Sequence, residues 1–203
     1  MLKVTDLTIT LPQRGLFQGL SFDVAAGEVL AIVGPSGLGK STLLDWMCGL
    51  LNPPAQGRGV IQIDARDITD LPCEQRRLGL MTQTPMLFPH LDVLGNLKFA
   101  ARQADTDFSA LLEQAGLAGT LHQDVATLSG GQIARVSLLR TLLAQPQAVL
   151  LDEPFARLDA ELRSHIRQFV WQRCQGIPVV LVTHDPEDIP AGSRVIQLQD
   201  YAC

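Results

Sequence analysis

Cysteines are few and scattered. Cys48, Cys73, Cys174 and Cys203 stand far apart in 203 residues, with no CxxC pair and no Cys/His spacing. That excludes a zinc site and a disulfide framework and makes the cytosol the expected compartment. Long apolar runs are also missing. Nothing approaches the roughly 18 uncharged residues of a membrane span, and the opening MLKVTDLTIT lacks a signal-peptide core, so any membrane role is expected to run through a partner. A positive charge balance is missing too. Sixteen Lys and Arg against 21 Asp and Glu leave a net charge of -5, which argues against nucleic acid as a partner, because capture of its phosphates needs a basic face. Repeats, low-complexity runs and flexible linkers are likewise lacking. What remains is 46% apolar and 18% charged residues, the make-up of a globular chain with one main core.

Two kinds of strand pattern follow. LKVTDLTIT and LSFDV alternate as half-buried strands do, whereas EVLAIVG and AVLLDEP are short apolar runs that read as buried parallel strands. RRLGLMTQ and IPVVLVTHD fit the second kind. Helical stretches STLLDWMCGLL, GGQIARVSLLRTLLAQ and DAELRSHIRQFVWQRC lie between them, and alternation of this type gives an α/β layered domain. Between roughly residues 92 and 126 the strand pattern stops, and LDVLGNLKFAARQ and DFSALLEQAGLAGTL read as a helical insertion.

GPSGLGKST matches GxxxxGK[ST] and sits between an apolar strand and a helix, where a phosphate-binding loop belongs. Gly34, Pro35, Ser36, Gly37 and Gly39 form a loop whose backbone N–H groups can turn towards phosphate oxygens. Lys40 then reaches the β- and γ-phosphates of ATP, Ser41 is a ligand for Mg²⁺, and Thr42 continues into a helix that aims its positive end at the anion. AVLLDEP supplies the complement. Asp152, at the end of a buried strand, is placed to hold Mg²⁺, and Glu153 beside it can orient or deprotonate a water for attack on the γ-phosphate. TLSGGQIARV opens a second helix on glycine. Ser129, Gly130, Gly131 and Gln132 make another anion-binding helix start, and two cradles beside one nucleotide fold suggest that the second serves a nucleotide held by another copy.

In this order and spacing the motifs strongly resemble those of the ATP-binding cassette (ABC) ATPases, whose signature is LSGGQ, and the resemblance covers essentially the whole chain. It implies one domain over residues 1–203: a P-loop NTPase core with a mainly parallel sheet, an N-terminal antiparallel β subdomain and an inserted α-helical subdomain. By the same resemblance Gln83 in LMTQTPMLFPH is the Q-loop residue that senses Mg²⁺ and the attacking water. Asp159 in FARLD lies at a dimer interface, and His184 in LVTHD contacts the γ-phosphate. LFPHLDVLGNLKFA is similar to the ATPase subunits of bacterial importers. That likeness implies ATP hydrolysis coupled to transport, a second ATPase subunit closing head to tail in a homodimer, and an integral membrane permease whose coupling helix enters a groove of the insertion. A substrate-binding protein can complete such a system, and the chain would then sit at the cytoplasmic face of the inner membrane, soluble when isolated. A non-transport cassette acting as a clamp, as in iron–sulfur assembly, is the alternative.

Three positions depart from the family pattern. Leu11 stands where an aromatic residue usually stacks on adenine, leaving Leu11 or Phe17 to offer apolar contact. Ile133 follows the signature and Ala156 replaces a serine, each removing a polar group near the expected interface. Other conspicuous residues have ordinary readings: Trp46 and Trp171 as packing, CEQRR as a solvated turn, His90 and His122 without partners at ligand spacing, and Cys48 as a small buried side chain.

Overall fold

The computed structural model describes residues 1–158 and 160–203. Two sheets organise it. Strands β1 (Leu2–Leu11), β2 (Arg14–Val24), β4 (Gln56–Ile63) and β5 (Arg66–Asp67) form an antiparallel sheet in the order β2-β1-β4-β5. The parallel sheet has the order β6-β7-β8-β3-β9, from β3 (Val29–Val33), β6 (Leu78–Met81), β7 (Ala148–Asp152), β8 (Val179–Val182) and β9 (Arg194–Gln197). This is the α/β architecture expected from the sequence.

The apolar runs are explained by what covers them. In β7, Ala148 and Leu150 face a core shared with the antiparallel sheet and α1 (Lys40–Cys48), while Val149 and Leu151 face a second core. Successive strand side chains point to opposite faces, so a strand buried on both sides must be apolar throughout. The second core is built with α3 (Val93–Ala100), α4 (Phe108–Gln114), α5 (Gly130–Leu143) and α6 (Ala160–Arg173).

Helices α3 and α4 leave and rejoin the core at one place. Asp92 and Asp124 pair as an isolated bridge, and the backbone N–H groups of Val93 and Leu94 donate to the carbonyls of Gln123 and Leu121. Asn96, fully buried on α3, donates to the carbonyls of Phe88, Leu91 and Asp92 and accepts from the Phe88 N–H. It thereby fastens the stretch after Gln83 to the helical segment.

CEQRR departs from the solvated turn expected of it. Residues Cys73–Arg76 form a one-turn helix, α2, and Arg76 is buried, its guanidinium donating to the carbonyls of Leu71, Thr69, Trp46 and Met47. The last carbonyls of a helix have no partner within it. Arg76 supplies one for the end of α1, which a charge count along the sequence does not show. Trp46 and Cys48 are buried on α1, and burial pushes the Cys48 thiol up to about 12, the environment of an inert thiol.

Candidate functional site

Helix α1 starts at the end of the loop from β3. Its N-cap is Gly39, at φ 94°, where a Cβ would lie 2.9 Å from the Leu16 side chain. Left-handed backbone and close approach together demand glycine there. Lys40 is buried to 8% exposure, and its Nζ donates to the carbonyls of Gly34 at 2.7 Å and Pro35 at 3.0 Å, so the ammonium sits inside the curl of the loop.

Asp152 ends β7 at the same place, 6% exposed. Burial pushes its carboxyl above the ordinary range. Hydrogen bonds from the Ser41 hydroxyl and the Gln83 backbone N–H, together with Lys40, pull the other way, and the neighbouring Glu153 charge raises it further. Glu153 takes a left-handed backbone, φ 48°, and its N–H donates to the Val182 carbonyl on the adjacent strand. That turn lifts the side chain off the sheet and leaves Oε2 2.9 Å from His184 Nδ1, with Glu153 14% and His184 68% exposed. A non-glycine residue held at positive φ costs energy, and such residues gather at functional sites.

A cleft of about 230 Å³ joins these groups. It is lined by Ser36, Gly37, Gly39, Lys40, Ser41, Thr42, Gln83, Asp152 and Glu153, together with Leu11, Arg14 and Leu16. A cleft of about 310 Å³ between α5 and α6 is larger, but its walls mix leucines with Gln103, Thr106, Gln145 and Arg173 and include no phosphate-cradling loop. The residues present fit MgATP. The loop and Lys40 match a polyphosphate, and Ser41, Asp152 and Gln83 offer the oxygen ligands that Mg²⁺ takes.

Phe17 offers no contact to a base: it is fully buried, paired across the hairpin with Ile9 and bridged to Ala202. Leu11 does line the cleft, and with it Leu16 and Arg14, whose guanidinium donates to the Gly37 carbonyl at 3.3 Å. The hairpin alternation placed one of its residues on each face. Which face met the loop required the fold.

The second glycine-opened helix lies apart from this cleft. Ser129 caps α5 in a reciprocal box: its Oγ accepts from the Gln132 N–H, and Gln132 Oε1 accepts from the Ser129 N–H. A Cβ on Gly130 would meet none of the described residues within 4 Å, and one on Gly131 would approach the Arg157 carbonyl at 3.1 Å. Residues 129–132 do not line the cleft. Asp159 lies outside the described residues.

Comparison with known proteins agrees with this arrangement. The family model described as ABC transporter matches residues 17–156. An uncharacterized ABC transporter ATP-binding protein of Escherichia coli, YnjD, is 44% identical over all of this chain and 97% of its own length. The Fe(3+) ions import ATP-binding protein FbpC of Streptomyces coelicolor is 36% identical, and the spermidine/putrescine import ATP-binding protein PotA of Mesoplasma florum 32%. The chain spans about three-fifths of the length of these two import proteins, 60% and 59%. Among solved structures, the dimeric post-hydrolysis state of the ATP-binding cassette MJ0796 bound to ADP and Pi superposes with a TM-score of 0.82 at 30% identity, covering 98% of this chain and 94% of the other. The chain therefore belongs to the ABC transporter family, as one of its ATP-binding, ATP-hydrolysing cassettes.

Proposed function

We propose that this chain is the ATPase subunit of an importer, working as a head-to-tail pair of identical copies beneath a separate membrane-spanning permease. The observation that carries the pairing is the separation within one chain of the phosphate loop and the Ser129 helix start, whose Gly130 faces open space. In the closed pair, Ser129, Gly130, Gly131 and Gln132 of one copy approach the γ-phosphate held by the other, and Asp159 lies at the interface.

Within each site the loop N–H groups and Lys40 hold the phosphates, and the Leu11 and Leu16 wall receives the base. Ser41, Asp152 and Gln83 would hold Mg²⁺, which would neutralise phosphate charge during transfer. Glu153 Oε2 orients the attacking water and accepts its proton, and His184 contacts the γ-phosphate while bonding Glu153.

No helix among the described residues is long and apolar enough to cross a membrane, so transport needs the permease. An apolar surface is available for it at the junction of the Gln83 loop and α3, where Met86 and Phe99 are 71% and 70% exposed and Phe99 packs edge-on against Phe88. Cargo selection then belongs to the permease and any substrate-binding protein, and the cassette sits at the cytoplasmic face of the membrane. The import proteins among its relatives favour this over the soluble clamp. The test is to capture tagged chain from detergent-solubilised native membranes with and without ATP. A stoichiometric polytopic membrane protein is expected; a clean soluble partner in its place overturns the importer reading.

A further inference from the structure

His184 is 68% exposed, yet its ring must meet Glu153 at a set angle. The loop around it is unusually well tied. Thr183, on one side, accepts from the Asp185 N–H at 3.1 Å and donates its hydroxyl to Asp188 at 3.0 Å. Asp185, on the other side, accepts from the Glu187 N–H through Oδ1. Its Oδ2 pairs with Arg163 Nη1 at 2.5 Å, across to α6. Arg163 and Arg167 lie four residues apart on one stripe of that helix, and Arg167 reaches Asp188 at 3.5 Å and the Glu187 carbonyl.

Packing does not ask for charges here. The Arg163 and Asp185 side chains are only 21% and 28% exposed, and ion pairs at such depth are often matched in stability by apolar side chains of similar size. Two buried atoms of the same cluster, Arg163 Nε and Asp188 Oδ1, lack a hydrogen-bond partner among the described residues, and burial pushes the Asp188 carboxyl up. With Arg163 Nε unbonded and Asp188 Oδ1 held only by the 3.5 Å ion pair to Arg167, the network adds little to folding. It does fix direction: a short, charge-assisted bond joins the residue after His184 to a helix beginning at Ala160, next in sequence to Asp159.

We propose that Arg163 and Asp185 are positioning residues for hydrolysis, their ion pair fixing the His184 ring against Glu153 and linking it to the start of α6. The inference rests on the role given to His184 above. Through this pair, a shift of the residues preceding α6 changes the angle of His184, so that contact with the second copy and readiness of the catalytic pair are joined within one chain.

The test compares Arg163→Ala, Arg163→Lys, His184→Ala and the double variant Arg163→Ala/His184→Ala in the whole chain. ATP turnover is measured alongside the imidazole NMR spectrum of the nucleotide-free protein, with the His184 signal identified by its loss in His184→Ala. Arg163→Ala is expected to lower kcat on the order of tenfold with KM for ATP within about twofold, and to displace the His184 signal. Arg163→Lys recovers most of both, and Arg163→Ala costs nothing further once His184 is absent. An unmoved His184 signal, a change confined to KM, or an equal loss in the His184→Ala background overturns the proposal. Should the alanine variant not fold, Arg163→Lys carries the test: a smaller loss with a displaced signal supports it, and unchanged kcat and signal overturn it. Wild-type turnover in His184→Ala removes the underlying role of His184, an outcome separate from an inactive His184→Ala beside a fully active Arg163→Ala.

Discussion

Helices α1 and α5 both open on glycine, and they are built for different neighbours. At α1 the glycine is enclosed. Gly39 has a left-handed backbone against Leu16, Lys40 is buried in the loop, and Asp152 and Glu153 approach from the end of β7. At α5 the helix closes on itself through the Ser129–Gln132 box, and Gly130 looks onto open space. The first helix start is complete within the chain. The second is finished as a fold and unfinished as a site, which teaches that a glycine can be required by its own chain or by a partner, and that the space around its Cβ distinguishes the two.

Glu153→Gln puts the greatest strain on that comparison. Loss of the proton acceptor at the complete site should raise the hydrolysis barrier by about 3–4 kcal/mol and leave ATP bound. Light scattering should then show an ATP-dependent dimer, and a monomer under saturating ATP would break the assignment of the α5 start to a second copy. Next come matched substitutions at the two glycines. Gly39→Ala should destabilise the fold by about 2 kcal/mol, because it combines positive φ with a clash at Leu16. Gly130→Ala should leave it unchanged or more stable by about 0.4–1 kcal/mol while lowering turnover, since the methyl obstructs only an incoming surface. Thermal unfolding and steady-state hydrolysis read both, and equal destabilisation at the two positions would erase the distinction.

A smaller effect is expected at the base wall. Leu11→Tyr should tighten ATP binding by about 1 kcal/mol, roughly fivefold, in a fluorescent-nucleotide titration, leaving kcat unchanged. The smallest concerns pH. Burial raises the Asp152 carboxyl in the folded chain, which therefore keeps a proton that the unfolded chain has released. Stability of the nucleotide-free protein should fall as pH rises from about 4, the ordinary carboxylate range, through the raised value. Asp152→Asn should flatten that slope, measured by the unfolding temperature across the range.

Much of the site could be read from the chain because its logic is local. A phosphate loop is a run of consecutive residues, and a carboxylate at the end of an apolar strand announces itself by the cost of burying it without a cation. Groups that work through neighbours distant in sequence were hidden. Arg76 looked like surface charge because its carbonyl partners at Trp46 and Met47 are 30 and 29 residues away. Phe17 looked like a base contact because alternation along a hairpin does not say which face turns towards another element. Arg163 gave no sign at all, since its partner Asp185 is 22 residues on.

The sequence by itself determined four of the five strands of the parallel sheet, the two glycine-opened helix starts and the phosphate-binding chemistry, because backbone conformation and local charge depend on residues adjacent along the chain. The tertiary structure alone decided which side chains wall the cleft, that Gly130 has no described residue against its Cβ position, and that Asp185, the residue after His184, is tied to α6 through Arg163. Those facts are set by contacts between segments far apart in sequence, and such contacts exist only when both cores close around the parallel sheet.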